Sequence, residues 1–181
     1  INSIVNDRGE ATEVYAGHWK TAHERACQAY LAEHRVEIGE KRDLVIVSAG
    51  GAPFDVNMIQ AHKALEMAAH ACREGGTIVF LAECADGLGR GDFLKWFETA
   101  ENSRALAEIL CEKYQVNGQT AWSLLTKAER FRVRIVTALG EAETRLMRLD
   151  KAGSFEEAMS ETDKNARGYI LPFGGKFLIR S

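Results

Sequence analysis

Residues 43–72 read DLVIVSAGGAPFDVNMIQAHKALEMAAHAC, and this stretch decides the fold. Leu44, Val45, Ile46 and Val47 form a short unbroken apolar run rich in β-branched side chains, the pattern of a strand covered on both faces in a parallel sheet. Ser48-Ala49-Gly50-Gly51-Ala52-Pro53 follows as the loop leaving its carboxyl end. Asp55 or Asn57 caps the next helix, in which Met58, Ala61, Ala64, Leu65, Ala68 and Cys72 recur at helical spacing and make an apolar face. Gln60, Lys63, Glu66, His70 and Arg73 fall on a separate polar stripe.

Outward from this core the same reading continues. Arg73-Glu74-Gly75-Gly76 predicts a helix stop with glycine at the cap, and residues 77–82 a second buried strand, completing a right-handed βαβ unit. Residues 131–137 predict a third strand, whose Arg132 and Arg134 imply a less covered face or a place nearer an edge. A last strand is expected at 168–173 and a short edge strand at 36–38. Residues 1–5 and 11–16 make a hairpin, with Asp7 and Gly9 supplying the turn. Helices are expected over 18–35, with Trp19, Ala22, Ala26, Ala29 and Tyr30 inward, and over 103–114, with Leu106, Ile109, Leu110 and Tyr114 inward. Others follow at 91–97, 118–129, 141–149 and 154–162, the last opened by a Ser154–Glu157 capping box. With no internal repeat or linker, residues 1–181 read as one α/β domain of Rossmann-like type, a mostly parallel sheet flanked by helices plus an N-terminal hairpin.

Composition removes several function classes. The formal charge of −3 and the lack of a basic tract give no electrostatic case for nucleic acid. No apolar run approaches the roughly 18 to 20 residues of a membrane span, and no signal-peptide pattern opens the chain. Cys27, Cys72, Cys84 and Cys111 show no CxxC pairing and read as reduced, mostly buried thiols of a cytoplasmic protein. Cys84 stands apart, in a strand-end loop where a thiol can face a ligand, although a structural role is the default. His18, His23, His34, His62 and His70 lack the spacing of a self-contained metal site. The chain begins at Ile1, directly in a strand, which suggests a fragment or a processed chain.

In a parallel sheet, ligands collect beyond the carboxyl ends of the strands. The loops at 49–53, 83–89 and 138–140 all open on that edge, beside the amino end of the central helix. There Lys63, one turn from Gln60 and close to free backbone N–H groups of a glycine loop, is placed to hold an anion such as a carboxylate or phosphate; the same spacing also describes a solvated helix face. Neither a GxGxxG fingerprint nor a P-loop is present, and a cofactor-free Rossmann-like fold is the competing reading.

Residue identity adds to this. Ser48-Ala49-Gly50-Gly51, Pro53, Asp55, Asn57 and Gln60-Ala61-His62-Lys63-Ala64-Leu65, with Gly75-Gly76-Thr77-Ile78 and residues 82–89 (AECADGLG), closely resemble the C-terminal domain of the nickel-dependent lactate racemase family. The likeness runs from Ile1 to the Pro172 region and is densest over 43–89. Phe54 departs from it, standing where the family usually has lysine or arginine.

The resemblance implies a two-domain isomerase that interconverts stereoisomers of a 2-hydroxy acid by hydride abstraction and return. A nickel-pincer nucleotide tethered to a lysine would be held by an amino-terminal domain absent from this chain, so this chain alone would bind no cofactor and be inactive. Its partners would be that domain and a small 2-hydroxy acid. Gln60 and Lys63 match the pair that reaches into the cleft to position the substrate carboxylate and the cofactor-bound intermediate. Trp122 resembles a tryptophan lining the substrate pocket, although a core tryptophan on an amphipathic helix is the default reading of its spacing. Gly50, Gly51, Asp55 and Asn57 match the motif that shapes the loop at the cofactor, where a turn-and-cap role is the alternative. Outside this family reading stands a different class, a stand-alone anion- or metabolite-binding module without catalysis.

Overall fold

The structure, a computed structural model, describes residues 1–6, 8–163 and 165–180. Five parallel strands form the central sheet: β4 (Arg42–Ser48), β5 (Cys72–Leu81), β6 (Arg132–Val136), β7 (Asp150–Ala152) and β8 (Gly168–Leu171), in the order β7-β6-β5-β4-β8. The chain steps outward from β4 to β7, then returns to lay β8 on the other flank of β4. The order therefore reverses at β4, and it is beyond the carboxyl ends of the strands at such a reversal that ligands collect in sheets of this type.

Side-chain alternation sorts the sheet into two cores. Val45, Val47, Ile78, Phe80, Val133 and Ile135 face one side with α2 (Met58–Ala71) and α5 (Gly118–Arg130). Leu44 and Val79 face the other, a much smaller core closed by Ala152 and by Ala158 of α7 (Phe155–Met159). The expected apolar face of α2 is present in Met58, Ala61, Ala64, Leu65 and Ala68, all buried, and Cys72, just beyond the helix, is buried with them.

Three differences from expectation concern where elements end. Helix α2 stops at Ala71, because Cys72 is already extended, its N–H donating back to Ala68 O. The glycines serve the following strand instead. A Cβ on Gly76 would lie 2.7 Å from Cys72 Sγ and 2.9 Å from Asp43 O, so only glycine passes there. The helix expected at 91–97 is displaced to α3 (Lys95–Thr99), and the one at 141–149 is α6 (Glu141–Leu146), followed by the unexpected strand β7.

Strand β6 lies one place from the sheet edge, in keeping with its arginines, but Arg134 is buried: its Nη1 donates to Ala158 O at 2.9 Å beneath α7. Helix α4 (Ser103–Glu112) buries Leu106, while Tyr114 falls beyond its end and is exposed. In α1 (Trp19–His34) Ala22 and Ala26 are buried, but Trp19, its first residue, is 76% exposed, its ring 5.8 Å from that of His18.

The hairpin β1 (Asn2–Val5) and β2 (Ala11–Tyr15) is antiparallel as expected. Its turn is organised by Asn6, whose Oδ1 accepts from the N–H of Arg8 and Glu10, with Gly9 at φ 77°. Asp7 lies outside the described residues. The strand expected near 36–38 is β3 (Arg35–Glu37), held in parallel by β9 (Leu178–Arg180).

Candidate functional site

The three loops predicted to share one edge are joined by hydrogen bonds. Between β4 and α2, the buried Asp55 carboxylate accepts from Glu83 N–H at 3.1 Å, and Asp55 O accepts from Cys84 N–H at 2.9 Å. Asp86 N–H donates to Val56 O, and Met58 N–H to Gly87 O. Glu83 O in turn accepts from Ala138 N–H and Thr137 Oγ1, tying in the loop after β6. Asp55 is thus a cross-brace between loops.

Asn57 is the cap of α2, its side chain accepting from Gln60 N–H at 3.1 Å. A Cβ on Gly89 would sit 2.7 Å from Asn57 Oδ1, so the neighbouring loop needs glycine to admit the cap. Gly50 (φ 102°) and Gly51 (φ 76°) take backbone conformations that favour glycine. At this edge Gly50 N–H donates to Ser48 Oγ, Met58 N–H to Gly87 O and Gln60 N–H to Asn57. Two side chains of the first turns of α2 stand at the same edge.

Those side chains are Gln60 and Lys63, which the structure brings together: Lys63 Nζ donates to Gln60 Oε1 at 2.6 Å. The amide oxygen fixes the exposed ammonium and leaves the amide NH2 as a further donor. Trp122 lies on α5, 37% exposed. It is one residue, about 100° of helix rotation, from Ser123, whose Oγ donates to Glu66 on α2 at 3.0 Å.

Sequence reasoning missed the link beneath the clamp. Lys127, 5% exposed on an apolar face of α5, pairs with Glu66 and also donates to Ser123 O and Oγ. Burial opposes ionisation of Glu66, but its hydrogen bond and attraction to Lys127 outweigh this and hold the carboxyl below its usual range. A lysine inside an apolar stripe was the available signal. Beside Lys63, His62 directs Nδ1 at Ile59 O, 2.7 Å away, and burial lowers its pKa, so the imidazole is neutral at pH 7.

Cys84 does not present a reactive thiol. It is buried at φ 55°, and burial pushes its pKa up to about 11. Cys72 is likewise buried, whereas Cys27 and Cys111 are exposed, against the expectation of mostly buried thiols. Among the described residues no three His, Cys, Asp or Glu side chains are grouped to hold a metal ion, and no helix is long and apolar enough to cross a membrane.

Against known proteins, residues 38–169 match the family described as the lactate racemase C-terminal domain. The chain is 33% identical over 102 residues to the lactate racemase of Thermoanaerobacterium thermosaccharolyticum, covering 56% of this chain and 24% of that protein. To the lactate racemase of Lactiplantibacillus plantarum it is 31% identical over 93 residues, covering 51% and 22%. It superposes on the lactate racemase apoprotein of T. thermosaccharolyticum with a TM-score of 0.88 and 26% identity, over 99% of this chain and 45% of that one. A Thermotoga maritima protein shares the fold alone, with a TM-score of 0.63 and 19% identity over 89% and 42% of the two chains. The matches thus span about a quarter of the curated relatives and less than half of the solved chains.

Proposed function

Because the chain belongs to the lactate racemase C-terminal domain family, we propose that it supplies one wall of the active-site cleft in a nickel-pincer-dependent racemase or epimerase of 2-hydroxy acids. The observation that carries this reading is the Lys63–Gln60 contact of 2.6 Å at the edge where the loops converge. The carboxylate of a 2-hydroxy acid would accept from Lys63 Nζ and from the Gln60 amide. Anchored in this way, the carboxylate holds the reacting carbon in place while its substituents invert, and the fixed ammonium stabilises the charge of the planar 2-oxo acid stage.

Among the described residues no group of His, Cys, Asp or Glu is placed to hold a metal, and the part of this chain would be binding and orientation. Nickel, its nucleotide and the hydride and proton chemistry are assigned to an amino-terminal domain of the same protein, acting in the cytoplasm. Gly50, Gly51, Asp55 and Asn57 would set the shape of the loop facing that cofactor, since the side chains of Asp55 and Asn57 are already engaged within the fold. Trp122 would border the substrate from α5. The present chain alone would be inactive.

The test is Lys63→Ala in the full-length protein, assayed for racemisation of a panel of 2-hydroxy acids. Loss of one preorganised charged contact, about 3 kcal/mol, lowers turnover about a hundredfold. Full retained activity would remove Lys63 from the site.

A further inference from the structure

Lys63 lines a cavity of about 280 Å³ that runs between α1, α2 and residues 175–178. The third wall is brought there by Gly174: a Cβ at that position would lie 2.5 Å from Val47 Cγ2 and 2.9 Å from Ala64 Cβ, so its absence lets the segment lie directly on α2. Gly174 N–H donates to Ser48 O, Tyr30 Oη donates to Lys176 O at 3.1 Å, and β9 pairs with β3. The Tyr30 ring is stacked on His34 at 3.9 Å. Residues 174–178 are therefore tied to α1 and lie directly on α2.

The cavity is divided in character. Tyr30, Met67, Phe177 and Leu178 give it apolar surface and Lys63 stands with them, while Lys176, also in the lining, carries its ammonium over the Phe54 and Phe173 rings. The acidic group in it, Glu66, is compensated by Lys127, and His62 is neutral at pH 7. A dianionic ligand finds little reason to go deeper than Lys63, whereas an apolar group attached to a carboxylate matches both parts. Its volume lies near the lower end of small-molecule pockets, roughly 300 to 1,000 Å³. A methyl substituent would leave most of it unfilled.

We propose that this cavity is the substrate side-chain subsite, and that the preferred substrates are 2-hydroxy acids bearing a branched or aromatic apolar substituent, with the carboxylate at Lys63 and Gln60 and the substituent against Met67, Phe177 and Leu178. This rests on the cleft-wall reading above and extends it from a carboxylate clamp to a substrate class.

The experiment compares lactate, 2-hydroxy-4-methylpentanoate and 3-phenyllactate in the full-length holoenzyme, by racemisation and by calorimetric binding, for the native protein, Met67→Trp, which fills the cavity, and Leu178→Ala, which enlarges it. The native enzyme should favour the two larger acids by about tenfold or more in kcat/KM, the discrimination expected of an added apolar group in a fitted pocket. Met67→Trp should remove that preference by lowering kcat/KM for the two larger acids at least about tenfold more than for lactate, and Leu178→Ala should shift the optimum toward phenyllactate. Should the filled variant not fold, the Leu178→Ala shift decides alone. Lactate as best substrate, or variants that change every acid equally, would overturn the subsite while leaving the racemase reading intact. Binding of the larger acids, lost in Met67→Trp, without racemisation of any acid would sustain the subsite and overturn the racemase reading. Neither binding nor racemisation would overturn both.

Discussion

The Glu66–Lys127 pair predicts an asymmetry between its two truncations. Lys127 is 7% exposed at its side chain, and Glu66 is 42% exposed. Glu66→Ala leaves the ammonium buried with Ser123 O and Oγ as its acceptors among the described residues, the uncompensated buried charge that costs about 3 kcal/mol or more. Lys127→Met keeps the apolar stem and leaves a carboxylate that can turn to water, so its cost is closer to about 1 kcal/mol. For a chain of this size each kcal/mol moves the midpoint by about 2 to 4 °C. Glu66→Ala should thus melt about 6 to 12 °C below the native protein, and Lys127→Met about 2 to 4 °C below, in calorimetry or denaturant titration at pH 7. Because the folded pKa of Glu66 is depressed, the native stabilisation is complete above its ordinary value of 4.5 and is lost as pH falls through the lower folded value. Lys127→Met should flatten that part of the acid limb. It also frees Glu66 to pair with Lys63 one turn earlier, where an exposed pair of about 0.5 kcal/mol raises KM about twofold. Equal costs for the two truncations, or the reverse order, would refute the account.

Other consequences follow from the same structure. With the Cys72 and Cys84 thiols each pushed up to about 11 by burial, only Cys27 and Cys111 should alkylate at pH 8, and modification of all four by mass spectrometry should require denaturant. Gly174→Ala places a methyl group against Val47 and Ala64, which should cost about 1 to 3 kcal/mol by overpacking, read as a lowered denaturation midpoint.

The β4–α2–β5 unit is legible in the sequence because independent signals agree there: a continuous β-branched run, an Asn cap and a helical apolar stripe. Strands β7 and β9 are not, since three residues such as Asp150-Lys151-Ala152 carry no pattern and are defined by backbone pairing to β6 and β3. Trp19 and Tyr114 show the limit of periodicity: it assigns a face, but not how far along the helix the neighbouring layer extends. The same holds at the site. Gln60 and Lys63 lie one turn apart on one helix, and their contact follows from that spacing. The Glu66–Lys127 pair and the cavity depend on how α2 lies beside α5 and on a glycine more than a hundred residues away, which no local pattern encodes.

The unequal cores on the two sides of the sheet have a dynamic consequence. Opening residues 150–163 exposes only the small group around Leu44, Val79, Ala152 and Ala158, whereas lifting α2 exposes the large one. Amide protons of β7 and α7 should exchange through cheap partial openings, and those of α2 only near the cost of global unfolding. The helix that carries Gln60 and Lys63 is accordingly anchored on the slow-exchanging side, so a ligand docking there meets a surface already held in its final shape.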